Sequence, residues 1–466
     1  MKPLLCIATL MSCAIGHAAS LSLAPCKIAG LGEAARCGAL DVAENPQRPD
    51  GRHLSISVAV IPARAAPART DPITVLMGGP GEDAISQAAD VAEQFASLHE
   101  DHDLLLVDQR GTGRSGALHC DMYSADNPAA NLRDLFPVAA VKRCARQLSE
   151  RADLTQYTYT HFANDLEQIR RALNYGRLDL FAGSYGTRAA QVFIRAFPNS
   201  VRTAYLGSVV PIDVAIPGPF SVTSQAALEK TLAACLAEPT CKAAFPNLRA
   251  EFREMVARLD SGRARAAIPG GTDTAVLDRG RVAEWFRSKL YRPRTAATLP
   301  WLIHQASLGD WDPIAAGILE DAARYDAALS FGLLFSITCS DDVPFVPSGA
   351  SGNTTFLGDY RLRQQQAACS VWPKAAVPEG YRMPVVSKIP TMFVSGDADG
   401  GTPLWFMEHA SQGFAERITI AQQGQGHTEW NDCVGKLYEQ FVRSGSAHEF
   451  QASQCGPISR PPFKIR

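Results

Sequence analysis

The pentapeptide Ala182-Gly183-Ser184-Tyr185-Gly186 constrains the fold of this chain more than any other segment. An apolar run, Leu178-Asp179-Leu180-Phe181, leads into it, and a helix-like stretch over 187–197 leaves it. A serine held on a sharp strand-to-helix turn needs very small neighbours, because the nucleophile is pressed against both strand and helix. Ala182 stands where the G-x-S-x-G pattern has its first glycine, and alanine is the smallest replacement. A five-residue match alone is equally compatible with an ordinary turn. The segments around it decide between the two.

Residues 53–61 alternate with period two and predict a strand, while 74–77 and 104–107 are short continuous apolar runs suited to buried parallel strands. Residues 84–98 read as a helix between them. A second helix over 164–173, capped by Asn164, runs into the strand before Ser184, and 204–206 forms the next strand. Strands alternating with helices predict an α/β, doubly wound and mostly parallel sheet. From about 211 to 338 the pattern turns helical, at 224–237, 248–259, 282–290 and 313–329, with no convincing strand. Strand signals return at 391–394 and 417–420, before a last helix near 434–442. The expected organisation is a core in two parts, 19–210 and 339–466, split by a helical lid insertion at 211–338. Such an insertion would sit over the carboxyl ends of the strands, where α/β sheets bind ligands.

Each candidate chemical group follows a predicted strand. Gly78-Gly79-Pro80-Gly81 exposes backbone N–H groups to which an oxyanion can approach. The segment 108–116 (DQRGTGRSG) reads as a structural turn held by Asp108 and Arg110, and it lacks the lysine of a phosphate loop. In Gly396-Asp397-Ala398-Asp399-Gly400, Asp399 is the candidate acid that orients an imidazole. His427, in Gly424-Gln425-Gly426-His427, is the candidate base. The chain order Ser184, Asp399, His427 is the serine-hydrolase order for this architecture.

A net charge of −2 gives no reason to expect nucleic acid or a membrane surface as partner. Met1-Lys2 followed by a short apolar stretch and the small residues Gly16 and Ala18 predicts a signal peptide over 1–18. A secreted or periplasmic protein follows, with lipid anchoring at Cys13 as the minor alternative. No later segment is long and apolar enough to span a bilayer. Ten cysteines remain beyond Cys6 and Cys13. In an oxidising compartment they predict up to five disulfides, and without C-x-x-C spacing a metal site is disfavoured. The spacing leaves connectivity open, sequential neighbours such as Cys235 with Cys241 being the simplest pairing.

The motifs GGPG at 78–81, DQRGTGRSG at 108–116, GSYG at 183–186, GDADGGTP ending at Pro403 and GQGH at 424–427 are together specific. With them the chain resembles the α/β-hydrolase serine exopeptidases of the prolyl iminopeptidase and tripeptidyl aminopeptidase group, over roughly 50–210 and 335–445. Segments 337–341 (ITCSD) and 369–373 (CSVWP) resemble cysteine-bearing segments of the secreted bacterial branch, which implies a Cys339–Cys369 disulfide. Two departures stand out: Met77 where the group usually has histidine, and Gly400 where the acidic loop often has proline.

The resemblance implies an aminopeptidase releasing proline, dipeptides or tripeptides from free N-termini, without a cofactor or metal. Ser184 attacks the carbonyl, His427 takes its proton, Asp399 orients the ring, and the N–H groups of Gly79 and Tyr185 hold the oxyanion. A carboxylesterase using the same three residues is the alternative. An acid must meet the substrate ammonium. Glu82, Asp83, Asp341 and Asp342 are the candidates for it.

Overall fold

The computed structural model describes residues 21–124, 127–268, 274–349, 354–448, 450 and 455–466. The expected signal peptide and Cys13 lie outside the described residues.

Eleven strands are present among the described residues: β1 (Ala24–Cys26), β2 (Ala35–Ala43), β3 (His53–Ile61), β4 (Ile73–Leu76), β5 (Leu104–Val107), β6 (Leu178–Gly183), β7 (Val201–Gly207), β8 (Arg265–Ala267), β9 (Thr274–Val276), β10 (Thr391–Gly396) and β11 (Arg417–Gln422). Nine of them form one sheet in the order β1-β2-β3-β5-β4-β6-β7-β10-β11. The pairings from β1 through β5 are antiparallel, and those from β5 to β11 are parallel. The central strands are almost wholly buried because both faces are covered. Leu105, Val107 and Leu180 pack on one side, and Leu104, Leu106 and Phe181 on the other. This is an α/β fold with a mostly parallel sheet, as the strand–helix alternation predicts.

Between β7 and β10 the chain is largely helical, with Phe220–Ala237, Leu248–Asp260, Arg279–Lys289, Leu299–Leu308, Asp312–Ala328, Phe331–Asp341 and Tyr360–Cys369 as its longer helices. Two details differ from expectation. Helix Phe331–Asp341 runs through the boundary placed at 338, and the small β8–β9 hairpin interrupts the helices. Each hairpin strand is three residues long with one buried alanine, Ala266 or Ala275, too short to give a periodic signal.

On the core side, the helix expected over 84–98 is broken into a short α-helix, Ala88–Gln94, flanked by single 3-10 turns. The helix before β6 starts at Tyr159, five residues earlier than expected. Thr158 caps it by accepting from the His161 N–H. Asn164 lies inside that helix and donates to the Thr160 carbonyl. Five disulfides pair sequential cysteines: Cys26–Cys37, Cys120–Cys144, Cys235–Cys241, Cys339–Cys369 and Cys433–Cys455. No described helix is long and apolar enough to cross a membrane.

Candidate active site

Ser184 follows the last residue of β6 and has φ +53°, the left-handed region that ordinary side chains avoid. Helix Gly186–Ala196 begins two residues later. A Cβ on Gly186 would lie 2.1 Å from the Leu76 carbonyl oxygen, so only glycine lets this helix start against β4. The Ser184 N–H donates to the Gly207 carbonyl at 3.0 Å, fixing the turn to β7. Ala182 is fully buried within β6, paired with Leu76 and Leu206, where a methyl group fits.

The three candidates meet above the carboxyl edge of the sheet. His427 Nε2 lies 2.9 Å from Ser184 Oγ, and His427 Nδ1 lies 2.8 Å from Asp399 Oδ2. Asp399 is buried. Its Oδ1 accepts from the Gly401 and Thr402 N–H groups at 2.7 and 2.9 Å, and its Oδ2 also accepts from Thr402 Oγ1 at 2.6 Å. Burial opposes ionisation of this carboxyl, but the His427 charge and the hydrogen bonds from His427 and Thr402 outweigh it and hold the group below its usual range. Asp397 is turned away: it accepts from Lys230 Nζ at 2.8 Å and from the Gly424 N–H at 2.7 Å, tying two loops together.

The glycine turn after β4 lies against the elbow. A Cβ on Gly78 would sit 3.1 Å from both Ser184 Cβ and the Gly183 carbonyl oxygen. Gly79 has φ +103°, a conformation suited to glycine. The N–H groups of Gly79 and Tyr185 donate to no other group among the described residues. Ser184 and His427 open into a cavity of about 570 Å³, walled by the 77–82 turn below and by the helical segment above.

Residues 71–230 match the family described as alpha/beta hydrolase fold, and residues 354–455 match the one described as TAP-like protein. The chain is an α/β hydrolase. A tripeptidyl aminopeptidase of Streptomyces coelicolor is 22% identical to it over 91% of this chain and 84% of that protein. A proline iminopeptidase of Aeromonas sobria is 27% identical over 40% of each chain. The hydrolase YuaR of Escherichia coli K12 is 27% identical over 34% of this chain, and the match spans about a third of that relative, 32% of its length. Among solved structures, a proline iminopeptidase of Mycobacterium smegmatis is similar at 13% identity and TM-score 0.41, covering 87% of this chain and 98% of its own. An esterase of Thermogutta terrifontis is similar at 13% identity and TM-score 0.38, covering 88% and 99%.

Of the four acids expected near a substrate ammonium, the hydrolase presents one to the cavity. Glu82 lines it and has no side-chain partner among the described residues. The cavity leaves Glu82 accessible while protein surrounds it. That burial raises its carboxyl above the usual range, with the His427 charge pulling the other way. Asp83 instead accepts from Ser86 Oγ at 2.6 Å. Asp342 is fully buried and holds Arg188 at 2.6 Å and Tyr185 Oη at 3.2 Å. Asp341 is buried against Tyr381 Oη at 2.6 Å. The expected substrate role for Asp83, Asp341 and Asp342 is therefore corrected: each carboxylate is engaged elsewhere, and none lines the cavity.

Two contributors at His427 escaped the sequence reading. Thr402 Oγ1 lies 3.1 Å from His427 Nδ1 beside Asp399. Its place in the Gly-Gly-Thr-Pro run was the available signal. Tyr291 accepts the His427 N–H at its carbonyl, 2.6 Å away, and stacks its ring on the imidazole with centroids 4.7 Å apart. The Tyr291 hydroxyl takes a hydrogen bond from Arg287, which pairs with Glu284. Nothing in the local sequence around Tyr291 marks it, because its partner is 136 positions away.

Proposed function

We propose that this α/β hydrolase is a serine aminopeptidase in which Ser184, His427 and Asp399 form the catalytic triad, with the helical segment over 211–338 as a lid. The observation that carries this reading is the continuous chain from Ser184 Oγ through His427 to a buried carboxylate, opening into a cavity that also holds Glu82. His427 Nε2 accepts the Ser184 proton as Oγ attacks the carbonyl carbon, and the adjacent Asp399 carboxylate stabilises the imidazolium that forms. The Gly79 and Tyr185 N–H groups, otherwise without acceptors, hold the developing oxyanion. His427 returns the proton to the leaving amine, and water then resolves the acyl-enzyme. Glu82, which no side chain pairs with among the described residues, receives the substrate α-ammonium. The match to a tripeptidyl aminopeptidase along most of both chains supports release of short N-terminal fragments. The five disulfides support an extracytoplasmic site of action.

A fluorogenic panel of free-amine peptides, their N-acetylated twins and short-chain esters tests the reading. Cleavage restricted to the free-amine peptides is expected. Equal cleavage of the acetylated twins refutes the aminopeptidase assignment, and turnover of esters alone makes the enzyme a carboxylesterase.

A further inference from the structure

The lining of the cavity carries a group of basic side chains with an excess of positive charge. Arg287 and Arg361 share one carboxylate, Glu284, at 2.6 and 2.7 Å. Burial would raise the Glu284 carboxyl, but the two guanidinium charges outweigh it and hold it at about 2, so it is ionised and fully committed. Lys289 and Arg324 likewise share Asp321, at 3.0 and 2.9 Å. Each trio thus keeps one uncompensated cation.

Arg281 goes further. It is 4% exposed and lines the cavity, and no carboxylate pairs with it among the described residues. Its Nε donates to the Asn131 carbonyl at 3.0 Å, leaving the rest of the guanidinium fork without a carboxylate acceptor. Arg361, also lining the cavity, has a buried Nε with no hydrogen-bond partner. The helices bearing the two arginines touch one residue earlier, where Gly280 packs on the Tyr360 ring. Both guanidinium groups also act on Tyr123, another cavity residue. A buried arginine without a counter-ion is costly, and its planar fork matches a carboxylate in two hydrogen bonds.

We propose that Arg281, with Arg361 beside it, forms a carboxylate-binding subsite, so that preferred substrates are short peptides carrying a carboxylate as well as a free amine. The inference rests on the aminopeptidase reading and deepens it. Glu82 takes the ammonium, and Arg281 with Arg361 takes the carboxylate. The carboxylate has two possible sources, the C-terminus of a short peptide or an acidic side chain.

The test is steady-state kinetics on the wild-type enzyme with tri- and tetra-alanine. Each peptide is supplied with free or amidated C-terminus and with free or acetylated N-terminus, beside peptide amides differing only by Glu against Gln. Amidation is expected to raise KM about tenfold or more, as a lost charge-assisted contact does, with kcat little changed. The amide-to-acid KM ratio should fall toward one in Arg281→Gln and return in part in Arg281→Lys. A KM advantage confined to Glu over Gln supports the subsite and assigns the carboxylate to a side chain. Equal KM within both pairs overturns the subsite, while the aminopeptidase reading survives as long as acetylated peptides stay uncut. If acetylated peptides are cut, that reading fails, and the acid-to-amide ratio measured on them still decides the subsite. The wild-type comparison needs no variant to fold.

Discussion

Asp399→Asn isolates the chemistry of the proposed triad. Oδ1 of Asp399 accepts two backbone N–H groups, so an asparagine is anchored with its carbonyl oxygen on that side. Its amide nitrogen then occupies the Oδ2 position, 2.8 Å from His427 Nδ1. An N–H donor there forces Nδ1 to accept, which moves the imidazole proton to Nε2. Nε2 then cannot take the Ser184 proton. A wrong tautomer of this kind costs on the order of 10⁴ in kcat, or about 5 kcal/mol of activation free energy. Asp397→Asn is the control. Its carbonyl can still accept from the Gly424 N–H, and the lost partner is Lys230, a surface ion pair worth about 1 kcal/mol or less. Initial rates on one free-amine peptide, with circular dichroism confirming both folds, give the comparison. If Asp397→Asn proves the more damaging of two folded variants, the acid is misassigned and the tautomer argument fails.

Burial, with the Asp342 charge adding to it and the Tyr381 hydrogen bond opposing, raises the Asp341 carboxyl to about 7. The folded state therefore holds this proton more tightly than the unfolded chain, and the group's contribution is lost as pH rises from about 4 through about 7. That contribution is at most about 4 kcal/mol. Urea unfolding at several pH values should show the decline in wild type and a flatter profile in Asp341→Asn, and identical slopes would contradict this account. Tyr291→Ala keeps the backbone contact to His427 but removes the stacked ring, so kcat should fall about three- to tenfold with KM less affected. An unchanged kcat would show that the ring does not steady the imidazole. Gly78→Ala pushes a methyl group to 3.1 Å from Ser184 Cβ and should lower kcat by about tenfold or more through a displaced oxyanion turn, while thermal melting moves little.

The parallel part of the sheet was legible because strands buried on both faces are short uninterrupted apolar runs, as in β4 and β5. The candidates Ser184, Asp399 and His427 were legible because each follows a strand signal amid glycines. The outer strands β1 and β2 left no comparable signal: β2 reads Ala-Arg-Cys-Gly-Ala-Leu-Asp-Val-Ala, and its partial exposure beside the short edge strand β1 tolerates its charges. Charged residues were read least well. Asp341 and Asp342 were candidates to meet a substrate ammonium, whereas the fold buries them against Tyr381 and Arg188, brought from far along the chain. Arg281 and Arg361 carried no signal at all, because a sequence gives no sign of which helix face meets an internal cavity.

The five disulfides share a property of order. Each cysteine among the described residues pairs with its neighbour in sequence, no loop spans more than 30 positions, and no bridge encloses or crosses another. A chain delivered from its amino end thus meets each correct partner before any wrong one arrives. Pairing in order of arrival already produces the native set, and no bond formed on the way has to be undone.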